Sequence, residues 1–244
     1  MNMKFRSSYL LKSILSIITI MILTGCVKKD PESHITQVFL APLSPNSPSV
    51  DFVVNGAVYA TGVGYSSTLG TIRYSLPYYT LEPKTGTVIS YNYSGTTNPV
   101  ASVTKDLEED KVYSTYLIDS LSKAKAVIVN DNLSDPTPGK VKIRFFHFSA
   151  NTPALDVVVL ATSAKLFGNR TFNDQATNIA FESFIEVDPG IYTFLFNSTA
   201  GGANIYTTTA QTLLPDRIYT LAIRGFTTGT GSQAIGGWVY PNKP

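Results

Sequence analysis

An all-β fold, two tandem β-sandwich domains behind a signal peptide, is what the sequence predicts. Three observations predict it: a composition rich in aromatic and β-branched residues, many short apolar runs bounded by turn formers, and a set of motifs that occurs twice. Of 244 residues 14 are Tyr and 13 Phe, and only 15% are charged, which favours strands over helices. One Cys and two His exclude a disulfide framework and a Cys/His zinc site, which needs about four ligands.

The leader comes first. Lys4, Arg6 and Lys12 precede an apolar run from Ser13 to Leu23, shorter than the roughly 20 residues a spanning helix needs. It therefore reads as a signal peptide over residues 1–25. Thr24-Gly25-Cys26 resembles the lipobox of bacterial lipoproteins, which makes Cys26 the lipidated first residue of the mature chain and the membrane the first expected partner. Loss of three basic and no acidic residues takes the formal charge from +2 to −1, so no basic face for nucleic acid remains. Residues 26–35 form a polar tether. Val27 stands where an inner-membrane retention signal would carry Asp, and Lys28-Lys29-Asp30-Pro31-Glu32 is similar to the export signal of Bacteroidetes surface lipoproteins. The expected location is the outer membrane, with surface display favoured over the periplasmic face.

The remainder is one unit written twice. Residues 43–54 align without a gap on 148–159, with six of twelve positions identical. Asp110-Lys111-Val112-Tyr113-Ser114 matches Asp216-Arg217-Ile218-Tyr219-Thr220, and Glu82-Pro83 lies near Asp188-Pro189 at a similar offset. The expected domains are 36–130 and 141–244, joined by a Pro- and Asn-containing linker over 131–140. That linker carries two Asp and lacks the alternating ligand spacing of a calcium loop. Strands are expected at Val38 to Leu40, Val50 to Val54, Ile72 to Leu76, Tyr78 to Leu81, Thr87 to Tyr93, Val112 to Ile118 and Ala124 to Val129. In the second unit they are expected at Val141 to Phe148, Leu155 to Leu160, Phe184 to Val187, Ile191 to Phe196, Tyr206 to Leu213, Ile218 to Ile223 and Ala234 to Tyr240.

The strand ending His147-Phe148-Ser149, the turn with Pro153, and Leu155-Asp156-Val157-Val158-Val159 resemble the opening of the bacterial domain-of-unknown-function family 4397 (DUF4397). Asp188-Pro189-Gly190 and Asp216-Arg217-Ile218-Tyr219-Thr220 look like its later turn and final hairpin. The resemblance spans roughly residues 36–240 and implies a secreted or envelope-attached β-sandwich with no assigned activity, and the sandwiches are expected to be Ig-like or transthyretin-like. The first unit departs from the pattern, with Pro42 at the place of His147 and Phe39 at that of Arg144.

Candidate chemistry is sparse. Pro48 with Asp51 and Pro153 with Asp156 form a shared turn motif whose carboxylate is expected to accept hydrogen bonds from loop N–H groups beside the Pro turn. His147, Asp156 and one of the many Ser could be drawn as a triad, but no Gly-x-Ser-x-Gly elbow supports it, and an extended His147-Phe148-Ser149 points His147 and Ser149 to one face for packing as readily as for catalysis. No catalytic residue, cofactor or metal is assigned, and the protein is read as no enzyme. Tyr74, Tyr78, Tyr79, Tyr91 and Tyr93 are candidate ligand-binding aromatics for an extracytoplasmic binding or adhesion module, with a glycan or an envelope protein as partner. The alternative function is a structural or assembly component that binds only other proteins, in which case these rings fill the core or the interdomain seam. Asp119-Ser120-Leu121 is similar to the short O-glycosylation motif of Bacteroidetes envelope proteins.

Overall fold

Strands buried on both faces, which read as near-continuous apolar runs, organise this protein. The structure is a computed structural model that describes residues 34–65 and 78–243. The leader, Cys26, Tyr74 and the strand expected at Ile72 to Leu76 lie outside the described residues. Residues 34–244 cluster as one compact unit.

The first half contains β1 (Thr36–Pro42), β2 (Val50–Val54), β3 (Ala57–Val63), β4 (Tyr78–Leu81), β5 (Lys84–Tyr93), β6 (Pro99–Leu107), β7 (Val112–Ile118) and β8 (Lys125–Asn130). They make two four-stranded sheets, ordered β4-β1-β7-β8 and β3-β2-β5-β6. The second half contains β9 (Val141–His147), β10 (Leu155–Val159), β11 (Lys165–Arg170), β12 (Ile185–Val187), β13 (Gly190–Tyr192), β14 (Phe194–Ser198), β15 (Asn204–Thr207), β16 (Gln211–Leu213), β17 (Ile218–Arg224) and β18 (Gly236–Lys243). Its sheets are ordered β12-β9-β17-β18 and β11-β10-β14-β15, with β13 and β16 as a separate pair. The orders in the two halves correspond strand for strand. In each, the first strand runs parallel to the penultimate one, β1 with β7 and β9 with β17. The fold is thus all-β and sandwich-like.

Side-chain alternation sorts these strands into layers. Val38, Val50, Phe52, Ile89, Tyr91, Tyr113 and Leu117 fill the space between the two sheets of the first half. Ile143, Phe145, Val157, Phe194, Phe196, Leu221 and Ile223 do the same in the second. The intervening positions form a third cluster between the halves, Phe39, Ala41, Tyr116 and Ile118 against Phe146, Phe148, Ala222, Trp238 and Tyr240. The layer order is therefore outer sheet, inner sheet, inner sheet, outer sheet. This explains why every residue of β17 is buried.

Three strands went unexpected from sequence, β3, β6 and β11, and all three are sheet edges. Edge strands carry Pro, Gly and charge that suppress further pairing, and Pro99, Gly62 and Lys165 hide the period-two signal here. The expected strands Ile191 to Phe196 and Tyr206 to Leu213 are each broken in two, giving β13 with β14 and β15 with β16.

Candidate functional site

The seam between the halves holds the most concentrated polar chemistry of the described residues. Arg144 projects from β9 into it, fully buried. Its Nη2 donates to Asp131 Oδ1 at 2.6 Å and its Nε to Thr220 Oγ1 at 2.8 Å. The guanidinium lies between the rings of Phe146 and Phe184, 4.7 and 4.5 Å from their centroids, an arrangement that suits a delocalised planar cation. Asp131 Oδ2 accepts from Ser114 Oγ at 2.7 Å and from Tyr78 OH at 3.2 Å. Thr220 donates onward to Asn242 Oδ1 at 2.6 Å, and Asn242 Nδ2 returns to Tyr78 OH at 3.3 Å. The circuit thus joins three residues of the first half's inner sheet and linker to three of the second half. Burial works against the charge on Arg144, but Asp131 opposite holds its pKa above the ordinary value.

Above this circuit Tyr116 and Tyr240 share a hydroxyl–hydroxyl hydrogen bond. Trp238, the only Trp of the chain, stacks on Tyr240 with ring centroids 4.1 Å apart. Higher still, Arg224 of β17 meets Tyr65 of the first half by hydrogen bond and ring contact. Contacts climb both halves in the same sense, so the two sets of strands start at one end of the unit.

Asp131 is the first residue of the linker that carries two Asp without the spacing of a calcium loop. Its carboxylate is consumed by Arg144, Ser114 and Tyr78, and among the described residues no group of three or more His, Cys, Asp or Glu is placed to hold a metal. Sequence reasoning gave neither Asp131 nor Arg144 a role. The available signal was a lone Arg in a strand apolar on both faces, which requires a buried counter-charge.

The candidate aromatics do not converge. Tyr91 is completely buried in the first core, with its hydroxyl donating to Thr115 Oγ1 at 3.4 Å, so it cannot meet a ligand. Tyr78 belongs to the seam circuit, and Tyr79 is half-buried against Phe52 and Tyr59. Tyr93 alone of the four described is exposed, at 38%.

The triad also dissolves. His147 is buried, and its Nε2 lies 2.9 Å from Thr152 Oγ1 and 3.2 Å from Pro153 O. The single Thr152 hydroxyl proton goes to Ser149 O at 2.9 Å, so Nε2 is the donor in these contacts. Burial lowers the His147 pKa and keeps the ring neutral. Ser149 donates to Gly225 O at 2.7 Å, and Asp156 is engaged elsewhere.

Asp51 and Asp156 play matched parts. Each sits at a register shift, Asp51 between β2 and β3 and Asp156 between β10 and β11. Opposite them Gly62 and Asn169 adopt left-handed backbone, φ +64° and +51°, and each turns an N–H away from the ladder. Asp51 accepts that N–H from Gly62 at 2.8 Å, plus Ser94 Oγ and Gly95 N, both at 2.8 Å. Asp156 accepts Asn169 N at 2.8 Å and Thr199 Oγ1 at 3.0 Å, and pairs with Lys165. The donors therefore come from the edge strand and the next hairpin, not from N–H groups beside Pro48 or Pro153. The Gly95 amide above all lowers the Asp51 pKa, and Lys165 that of Asp156.

A depressed carboxylate contributes stability above its unfolded pKa, near about 3.9 for Asp, and loses it as pH falls through the folded value. The protein is therefore expected to lose urea resistance below about pH 4. Asp51→Asn/Asp156→Asn should start weaker at neutral pH and fall less on acidification. An unchanged acid slope in the double variant would assign the loss to other carboxylates.

A family model described as "Domain of unknown function (DUF4397)" matches residues 36–158. It spans β1 into β10 and so covers the whole first half, the linker and the start of the second half. No curated protein matches the chain. Among solved structures, a leucine-rich repeat protein from Bacteroides thetaiotaomicron is 12% identical with a TM-score of 0.17, over 77% of this chain and 25% of that one. A Bacteroides eggerthii protein described as a "putative cell adhesion protein" is 11% identical with a TM-score of 0.19, over 87% of this chain and 98% of that one. The chain thus spans about a quarter of the first of these, and neither likeness is close enough to inform function. One family model covers half of the sequence, from the first strand through the seam-forming β9, and the chain belongs to the DUF4397 family.

Proposed function

We propose that this chain is a non-enzymatic, outer-membrane lipoprotein, anchored through Cys26, whose two sandwich domains act as one rigid body that displays a binding or adhesion surface away from the membrane. The seam carries this reading: an ion pair and an aromatic stack, both buried, hold two halves whose strands run the same way. Matching strand orders and the paired Asp51 and Asp156 support two copies of one Ig-like or transthyretin-like unit, 36–130 and 141–244. The chain enters β1 at the end opposite the 43–49 and 148–154 turns. Surface display is favoured over the periplasmic face by the charged tether. A second reading, a structural or assembly component that contacts only other proteins, is favoured by the burial of Tyr91 and the seam position of Tyr78.

Fatty-acid labelling and protease shaving of intact cells test the proposal together. Wild type should incorporate label and be cleaved on intact cells, whereas Cys26→Ala should lose the label and leave the membrane fraction. Label retained by Cys26→Ala, or domains protected until lysis, would contradict it.

A further inference from the structure

Charge is distributed unequally between the two ends. At the entry end lie the turns with Glu82, Glu108, Glu109, Asp110, Lys111 and Lys140, with Asp188, Asp216 and Arg217 beside them. The distal turns of the described residues, 46–49, 93–99, 119–124, 151–154, 199–203 and 226–233, contain two charged residues, the buried Asp119 and Lys123, and the link after β11 adds Asp174, buried and paired with Arg170. They are built of Ser, Thr, Asn, Gln, Gly, Pro and Ala with few larger side chains. Tyr93, the one candidate aromatic classed as exposed among the described residues, stands at this end and opens the 93–99 hairpin.

That hairpin is held in place before any ligand arrives. Asp51 grips Ser94 and Gly95 from below, Tyr93 N donates to Asn98 O at 3.0 Å, and Ser94 N donates to Ser49 O at 3.2 Å. Thr96, Thr97 and Asn98 are exposed in the same hairpin, where Thr96 Oγ1 donates to Tyr93 O at 2.9 Å and accepts from Asn98 N at 3.1 Å. A protein partner would call for an apolar centre with Arg, Trp or Met, from which Ser is depleted. Of the large apolar residues exposed on the surface, only Tyr93 lies in these turns. An acidic polymer would call for Lys and Arg.

We propose that the Tyr93–Asn98 hairpin with Ser49 is a binding site for neutral glycans, with the Tyr93 ring stacking on a sugar face and the hydroxyl and amide groups around it meeting sugar hydroxyls. This deepens the display reading and rests on it for its biological setting, but not for its chemistry.

The test uses the full-length lipidated protein in detergent on an array of neutral hexose, pentose, deoxyhexose and N-acetylhexosamine oligosaccharides, with uronate, sialylated and sulfated ones for comparison. Binding to neutral members is expected, unchanged in about 0.5 M NaCl, which screens charge pairs. Tyr93→Ala should weaken it about five- to tenfold. Thr97→Glu, a change at an exposed turn position, should weaken it too. Trp238 emission matching wild type shows that each variant is folded. Binding to no neutral member, binding only to acidic members that salt removes, or neutral binding indifferent to both substitutions would overturn the site. Shaving reports separately on display, so periplasmic domains that still bind neutral glycans would sink the display reading and leave this site standing.

Discussion

Arg144→Met is expected to cost about 3–5 kcal/mol of unfolding free energy, the usual penalty for stranding one member of a buried ion pair. The substituted chain keeps most of the volume between Phe146 and Phe184 but leaves Asp131 without its cation, facing Ser114 and Tyr78 in a dry seam. Arg144→Met/Asp131→Leu should recover much of that loss, because a buried pair replaced by apolar residues is often neutral. Urea denaturation followed by Trp238 emission measures both. A loss below about 1 kcal/mol for the single variant, the range of exposed pairs, would mean that water reaches Asp131.

Tyr116→Ala is the second large effect, about 3–5 kcal/mol for removing a fully buried aromatic ring. Tyr116 touches Phe39, Phe146, Phe148 and Trp238 and bonds Tyr240, so its removal opens a void on both sides of the seam. Tyr116→Phe keeps the ring and should cost about 1 kcal/mol for the lost hydrogen bond. Acrylamide quenching of Trp238 should rise sharply in the alanine variant and little in the phenylalanine one. Equal quenching in both would place the weakness outside the seam.

Much of this architecture was legible in the sequence, and the reasons are local. Val50-Asp51-Phe52-Val53-Val54 and Leu155-Asp156-Val157-Val158-Val159 announce strands because each lies second in its sheet and is buried. The strands that carry the two copies of that motif, β2 and β10, hold the same place in their sheets, a strand order that the motif alone does not fix. The edge strands β3, β6 and β11 were not legible, since their sequences satisfy solvent as much as a partner. The candidate site was less legible still. Period-two spacing correctly puts Tyr91 and Tyr93 on one face, but it cannot say that the face is internal at Tyr91 and ends at the rim by Tyr93. Arg144 and Asp131 lie 13 residues apart, Asp131 at the start of the linker and Arg144 in the strand after it. Their pairing depends on how two sheets stack, which no local pattern encodes.

The central claim is that the two halves unfold as one body because the seam holds them. Urea titration of the full-length protein, read in parallel by Trp238 emission and far-ultraviolet circular dichroism, tests it most directly. Trp238 reports the seam and dichroism reports all the sheets. The account predicts one transition with coincident midpoints for both signals. Trp238 emission shifting to the red at lower urea, with strand content intact, would show two independent domains resting against each other and would contradict it.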